Sequence, residues 1–163
     1  MSEPLPPCGI YRTTKEVASI PAGRLVYFHN HGSPGPGIYL PVAWHNNRAQ
    51  FADSGHTLPE PADESVRLLA RLPDEGIYRV TTEFYCCESK CRKFDENLLV
   101  QLGYNGAAEA ILFVPEWTQK GINLPTTGSP VSLDQLVHLQ LLRIDERAEA
   151  GPVSAPTAKD MLH

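Results

Sequence analysis

Apolar residues occur in short runs separated by clusters of glycine, proline and asparagine. Short runs rich in β-branched and aromatic residues, bounded by turn residues, are typical of β-strands. We therefore predict an all-β fold. The predicted strands cover residues 10–13, 25–28, 38–44, 48–51, 66–72, 77–82, 98–102, 111–117, 122–124 and 139–144. Asn105-Gly106, between two of them, is a strong signal for a hairpin turn. Residues 64–72 and 134–141 are also compatible with a short helix, the second with Ser132 as its N-cap.

The chain resembles itself. The motif GIYRTT at residues 9–14 recurs as GIYRVT at residues 76–81, identical at five of six positions. Further matches follow in the same order: Leu25-Val26 with Leu99-Val100, Gly32 with Gly106, residues 38–44 (IYLPVAW) with 111–117 (ILFVPEW), and Gly55 with Gly128. Such ordered self-similarity indicates a tandem duplication.

We interpret residues 8–72 and 73–147 as two copies of one β module, and residues 148–163 as an extended C-terminal tail. Each copy has room for five short strands. We expect each to be a small SH3-like barrel, or the two copies to be halves of one sandwich. The N-terminal residues 1–7, rich in proline, are also expected to be extended and mobile.

The second copy carries an insertion that contains three of the four cysteines. Ten residues separate Thr14 from Leu25, whereas seventeen separate Thr81 from Leu99, a difference of seven. The extra residues fall within 83–94 and bring Cys86, Cys87 and Cys91. Thiolates bind zinc well, although the paired Cys-x2-Cys knuckles of structural zinc sites are absent.

Neighbouring residues on a strand face opposite sides, so Cys86 and Cys87 could share a metal only if the turn begins between them. We expect one of the two to pair with Cys91. The favoured alternative is a hairpin with one buried cysteine and exposed neighbours. A disulfide is a third alternative.

Two histidines of the first copy are a second source of metal ligands. His29 and His31 are two positions apart at a strand end and can share one face. They could complete a zinc site with the cysteine hairpin. The alternative is that both simply face solvent beside the glycine- and proline-rich loop that follows.

The matched tryptophans, Trp44 and Trp117, are expected to pack in a core or an interface rather than against a ligand. With His45 and Tyr104 they also form the candidate binding surface.

Charge and motifs narrow the function. The net charge of −5 and the scattered basic residues argue against nucleic acid as a partner. No secretory signal and no membrane-spanning run is evident, so we expect a cytoplasmic protein that does not contact membranes. Nucleophile-elbow, zincin, P-loop and dinucleotide motifs are missing, which favours a non-enzymatic role.

We therefore expect a module that binds another protein, such as an adaptor or an immunity protein that neutralises a toxin. The alternative is a zinc protein or metalloenzyme that uses the cysteine hairpin with His29 and His31. A barrel that binds a small ligand beside Trp44 or Trp117 is a third, weaker interpretation.

Overall fold

A computed structural model describes residues 4–146 of the chain, so the predicted tail at 148–163 lies outside the described residues. Strands make up 42 % of the structure and helices 8 %, which confirms the all-β prediction. No helix within residues 4–146 is long and apolar enough to cross a lipid bilayer. We call residues 4–72 the N-terminal half and residues 73–146 the C-terminal half.

Most strands are short. In the N-terminal half they are β1 Gly9–Thr13, β2 Leu25–His29, β3 Gly37–Tyr39, β4 Pro41–His45, β5 Arg48–Phe51, β6 His56–Thr57 and β7 Leu69–Arg71. In the C-terminal half they are β8 Gly76–Val80, β9 Phe84–Tyr85, β10 Lys93–Phe94, β11 Leu99–Tyr104, β12 Ala110–Phe113, β13 Glu116–Thr118, β14 Gly121–Asn123, β15 Ser129–Val131 and β16 Leu139–Leu141. Helix α1 spans Ala62–Val66, and a 3₁₀ helix spans Leu133–His138.

Each half contains one antiparallel five-stranded sheet. The strand order is β6-β3-β2-β1-β7 in the first sheet and β15-β12-β11-β8-β16 in the second. In both sheets the first strand of the sheet lies between the second strand and the last. Neither sheet closes on itself, because its two edge strands do not pair with each other. The expectation of closed SH3-like barrels is therefore not met.

The matched segments 38–44 and 111–117 do not form one strand each, as their apolar runs suggest. Each first contributes a strand to its main sheet, β3 or β12. Each then leaves that sheet and starts a two-stranded hairpin, β4–β5 or β13–β14. Both hairpins therefore lie outside the main sheet of their half, where their side chains are available for contacts beyond that sheet.

The two halves share a hydrophobic core. The larger buried cluster includes side chains of β8, β11 and β12, and it continues through Ile10, Leu25, Ala49 and Leu72 of the N-terminal half. A smaller cluster lies within the N-terminal half around Phe28. Because apolar side chains from both halves bury one another, the halves are packed as one body.

The predicted turn at Asn105-Gly106 is formed, whereas the predicted cap at Ser132 is not. Asn105 forms the turn between β11 and β12, and its side-chain oxygen accepts the backbone N–H groups of Ala107 and Glu109. Ser132 precedes the 3₁₀ helix but makes no side-chain capping bond. Within the proline-rich N-terminal segment, the carbonyl groups of Pro7 and Pro6 accept hydrogen bonds from Tyr11 and Asn30, respectively.

Candidate metal sites and an exposed hairpin

The inserted segment is a short hairpin anchored by two aromatic rings. Phe84 on β9 and Phe94 on β10 are buried, and their rings stack with centroids 5.1 Å apart. Strand β9 ends at Tyr85, and β10 begins at Lys93. Residues 86–92 therefore form a loop. Its base is fixed in the core by the two rings, and the rest of the loop lies outside the strands.

The three thiols of this loop converge. The sulfur atoms of Cys86, Cys87 and Cys91 all lie within 4.8 Å of one another. Those of Cys86 and Cys87 are 3.5 Å apart, and all cysteines of the chain are free thiols. Strand alternation does not separate this pair, because the chain leaves the strand before Cys86. The sequence predicted a two-cysteine pair, whereas the structure brings all three together.

Backbone N–H groups point at two of the sulfur atoms. The N–H of Arg92 donates to Cys86 Sγ over 3.3 Å. The thiol of Cys86 and then the N–H of Ser89 are the main causes that lower the pKa of Cys87. Negative charge on Cys87 in turn raises the pKa of Cys91. Cys87 therefore ionises more readily than Cys91, and such N–H···S bonds stabilise a thiolate.

The cluster is accessible from one side. Cys86 is buried, Cys87 is half-buried and Cys91 is exposed. Cys86 and Cys87 also line an open cavity of about 400 Å³, together with Arg12 of the N-terminal half. The Nε atom of Arg12 is buried and has no hydrogen-bond partner within residues 4–146. A small anion or solvent in this cavity would meet both the thiols and the guanidinium group.

A second group of potential ligands lies in the N-terminal half. Ligand atoms of Cys8, His29 and His31 are within 4.8 Å of one another. The two imidazole rings have centroids 5.4 Å apart. Cys8 Sγ donates to the Asn30 side chain and accepts the Asn30 N–H, both over 3.3 Å. His29 Nδ1 is buried without a hydrogen-bond partner in the described chain.

Sequence reasoning missed Cys8, which stands alone near the start of the chain. The pairing of β1 with β2 sets Gly9 opposite Phe28, and this register brings Cys8 beside the end of β2. The predicted joint site of hairpin cysteines and histidines is not formed. Among the described residues, no metal-ligating group contains both a hairpin cysteine and His29 or His31, because the two sets lie in different halves.

The predicted binding surface is divided by the fold. Trp44 is 44 % exposed and its indole N–H donates to the Tyr104 carbonyl over 2.8 Å, so it packs in an interface as expected. His45 is exposed at the tip of the β4–β5 hairpin. Tyr104 is buried, with its hydroxyl on the Pro73 carbonyl, so its ring is not available to a partner.

Trp117 departs most from expectation. We expected it to pack in a core or an interface, but its side chain is 82 % exposed on β13. Ile122, opposite it on β14, is also exposed. A large apolar pair on a projecting hairpin is a typical mark of a contact surface.

Comparison with known proteins assigns neither a family nor a function to the chain. No family model matches the chain, and neither a curated protein nor a solved structure is significantly similar to it.

Proposed function

We propose that the protein binds a thiophilic metal ion at Cys86, Cys87 and Cys91. The observation that carries this proposal is the convergence of three sulfur atoms within 4.8 Å. With Zn–S bonds of about 2.3 Å, ligand sulfurs of a tetrahedral site lie roughly 3.8 Å apart. The cluster needs only small side-chain rotations to reach that geometry, and its N–H groups already favour thiolate.

The ligand set favours soft metals. Three thiolates suit Zn²⁺ or Cu⁺, whereas Ca²⁺ and Mg²⁺ prefer oxygen ligands. Three protein ligands leave the fourth tetrahedral position for water or an external ligand. The exposed side at Cys91 and the cavity beside Cys86 give access to it. The proposal assumes a reducing compartment such as the cytoplasm, where thiols persist.

Metal analysis of the purified protein tests the proposal. After expression in zinc-replete medium, the wild-type protein should carry at least one equivalent of zinc. Cys91→Ser should lose the equivalent bound at the hairpin, and because Cys91 is exposed this change should leave the fold intact. The matched control is Cys8→Ser, which leaves the hairpin untouched.

Cobalt substitution provides an independent readout, because thiolate–cobalt charge-transfer absorption reports sulfur ligation directly. The band should be present in the wild-type protein and in Cys8→Ser, and weaker in Cys91→Ser. A zinc content below a tenth of an equivalent in the wild-type protein, or a content unchanged by Cys91→Ser, would contradict the proposal. Loss of metal in Cys8→Ser alone would move the site to Cys8, His29 and His31.

We also propose that the two halves arose by duplication of one five-stranded module. The matching strand orders support this, as do equivalent hydrogen bonds. Tyr11 donates to the carbonyl four residues before it over 2.7 Å, and Tyr78 does the same over 2.6 Å. Thr14 and Thr81 each bond to the carbonyl that precedes the last strand of their sheet.

A second candidate function is the binding of another protein, and the exposed Trp117 hairpin favours it. Large aromatic residues are enriched at the energetic centres of interfaces. An adaptor or a toxin-neutralising immunity protein would use such a surface, and neither role conflicts with metal binding. A pull-down with the wild-type protein and with Trp117→Ser tests this function, because a partner that binds the hairpin should be lost with Trp117.

A further inference from the structure

The β4–β5 hairpin of the N-terminal half is docked on the C-terminal half. Trp44 Nε1 donates to the Tyr104 carbonyl over 2.8 Å. At the hairpin turn, Asn47 Nδ2 donates to Gln101 Oε1 over 2.9 Å and to the Pro125 carbonyl over 3.0 Å. The hairpin thus covers one face of the second sheet and holds the two halves together.

The equivalent hairpin of the C-terminal half has no such receptor within the described chain. Trp44 and Trp117 occupy the same position in their hairpins, three residues before Asn47 and Lys120. Trp117 is 82 % exposed and Ile122 is also exposed. Within residues 4–146, the hydrogen bonds of the hairpin Glu116–Asn123 stay inside it.

The equivalent receptor face also exists. Its Leu25 end is buried in the shared core and Tyr27 packs against Phe51, but the part beside Tyr39 and Asp53 is open. Tyr27 pairs with Tyr39 in the first sheet as Gln101 pairs with Phe113 in the second, so the two faces correspond. In the first sheet this face opens into a shallow cavity of about 390 Å³. Its lining consists of Tyr27, His29, Tyr39, Phe51, Ala52 and Asp53.

We infer that the β13–β14 hairpin of one chain docks into this cavity of a second copy of the chain. The contact would repeat, between molecules, the contact that β4–β5 makes inside the molecule. This inference deepens the second candidate function and rests on it. Charge supports the pairing, because the turn residue Lys120 would approach Asp53 at the cavity rim.

The two receptor faces differ at one position, and this difference determines how closely a hairpin can approach the sheet. A Cβ atom at Gly103 would lie 2.7 Å from the Asn47 carbonyl oxygen, so the internal hairpin approaches the backbone closely. The corresponding residue of the open face is His29, whose ring prevents that approach. The docked hairpin therefore sits further out, and the longer side chain of Lys120 replaces the short Asn47 as the group that reaches the receptor.

The contact joins different surfaces, so it is head-to-tail. Such an interface forms rings or open chains rather than requiring a symmetric pair. Each molecule carries one donor, the Trp117 hairpin, and one acceptor, the cavity. A molecule that lacks its donor can still accept, and a molecule that lacks its acceptor can still donate.

Analytical ultracentrifugation of the full chain tests the inference. The weight-average mass of the wild-type protein should rise with concentration. Trp117→Ser and Asp53→Lys should each weaken association at least tenfold, while Val137→Ser, which removes an equally exposed apolar residue (77 %) elsewhere, should not. Lys120→Glu combined with Asp53→Lys should restore part of the association. An equimolar mixture of Trp117→Ser and Asp53→Lys chains should form a dimer and stop there.

Three outcomes would overturn the inference. The first is a wild-type chain that stays monomeric at several hundred micromolar. The second is association that Trp117→Ser does not weaken. The third is a chain truncated after residue 146 that associates when the full chain does not, because the C-terminal segment would then occupy the cavity.

A pull-down separates the two proposals. If it yields a stoichiometric foreign partner that Trp117→Ser loses while the chain stays monomeric, the protein-binding proposal is supported and the self-association proposal is contradicted. If the chain neither associates with itself nor retains a foreign partner, both the self-association and the protein-binding proposals fail.

Discussion

At the residue scale, Glu75 shows how a single polar group is held between the halves. Its carboxylate accepts the backbone N–H of Ala49 over 2.9 Å. Burial raises the pKa of Glu75, and this effect outweighs the Ala49 hydrogen bond and the charge of Arg48, which both lower it. The group satisfies a buried donor, but its ionised form is disfavoured at this position.

This shift predicts a pH dependence of stability. A carboxyl group that holds its proton more tightly in the folded state stabilises the fold below the ordinary pKa of 4.5. That contribution is lost as the pH rises through the raised, folded-state pKa. Glu75→Gln keeps an acceptor for Ala49 and does not ionise, so its free energy of unfolding should fall less than that of the wild-type protein over this interval.

Urea denaturation at a series of pH values from 4.5 to 8 measures the effect. As a control, Glu75→Ala leaves the Ala49 N–H unpaired and should cost about 1–3 kcal/mol at every pH. Parallel pH profiles for the wild-type protein and Glu75→Gln would show that the carboxyl group is not perturbed as described.

At the element scale, the β9–β10 hairpin contributes side chains to the hydrophobic core as well as a surface loop. The sequence predicted a turn with clustered thiols here, and the sulfur atoms of its three cysteines do lie close together. It did not reveal that Phe84 and Phe94 join the shared core, because an aromatic pair in a polar segment gives no period to interpret. The core thus fixes the base of the loop that bears the thiols.

Alanine substitutions at a buried and at an exposed position of this hairpin should change the free energy of unfolding by different amounts. Phe94→Ala removes a fully buried ring and should lower the free energy of unfolding by about 3–5 kcal/mol. Tyr85→Ala, on the neighbouring exposed position, should change it by roughly 0.5 kcal/mol or less. Chemical denaturation gives both values. Equal effects at the two positions would mean that the hairpin does not belong to the core.

At the scale of the whole molecule, the question left open by the sequence was whether the two halves form two cores or one. Residues Ile10, Leu25, Ala49 and Leu72 of the N-terminal half are buried in the core of the C-terminal half. Separation of the halves would expose this apolar surface on both sides. The halves therefore depend on each other for stability.

The shared core predicts a single cooperative transition. Differential scanning calorimetry of the full chain should give one peak whose calorimetric and van't Hoff enthalpies agree. A fragment of residues 73–147 should lack this transition, since four buried residues of the shared core are missing from it. Two resolved peaks, or a fragment that unfolds cooperatively at the temperature of the full chain, would show that the halves are independent.

The sequence predicted features that depend on nearby residues and missed those that depend on pairing. The Asn105-Gly106 turn is encoded locally, because the Asn105 side chain bonds to N–H groups two and four residues ahead. The meeting of Cys8 with His29 depends on the register between β1 and β2. The matched sequence positions of the two tryptophans likewise did not distinguish the docked Trp44 from the exposed Trp117.

That difference between the tryptophans gives the molecule two built-in optical reporters. The chain contains two tryptophans in all. One indole is hydrogen-bonded where the halves meet, and the other stands in solvent on the projecting hairpin. Their emission therefore differs in wavelength and in access to a soluble quencher. Changes at the contact between the two halves and changes at the β13–β14 hairpin can therefore be followed separately without an added label.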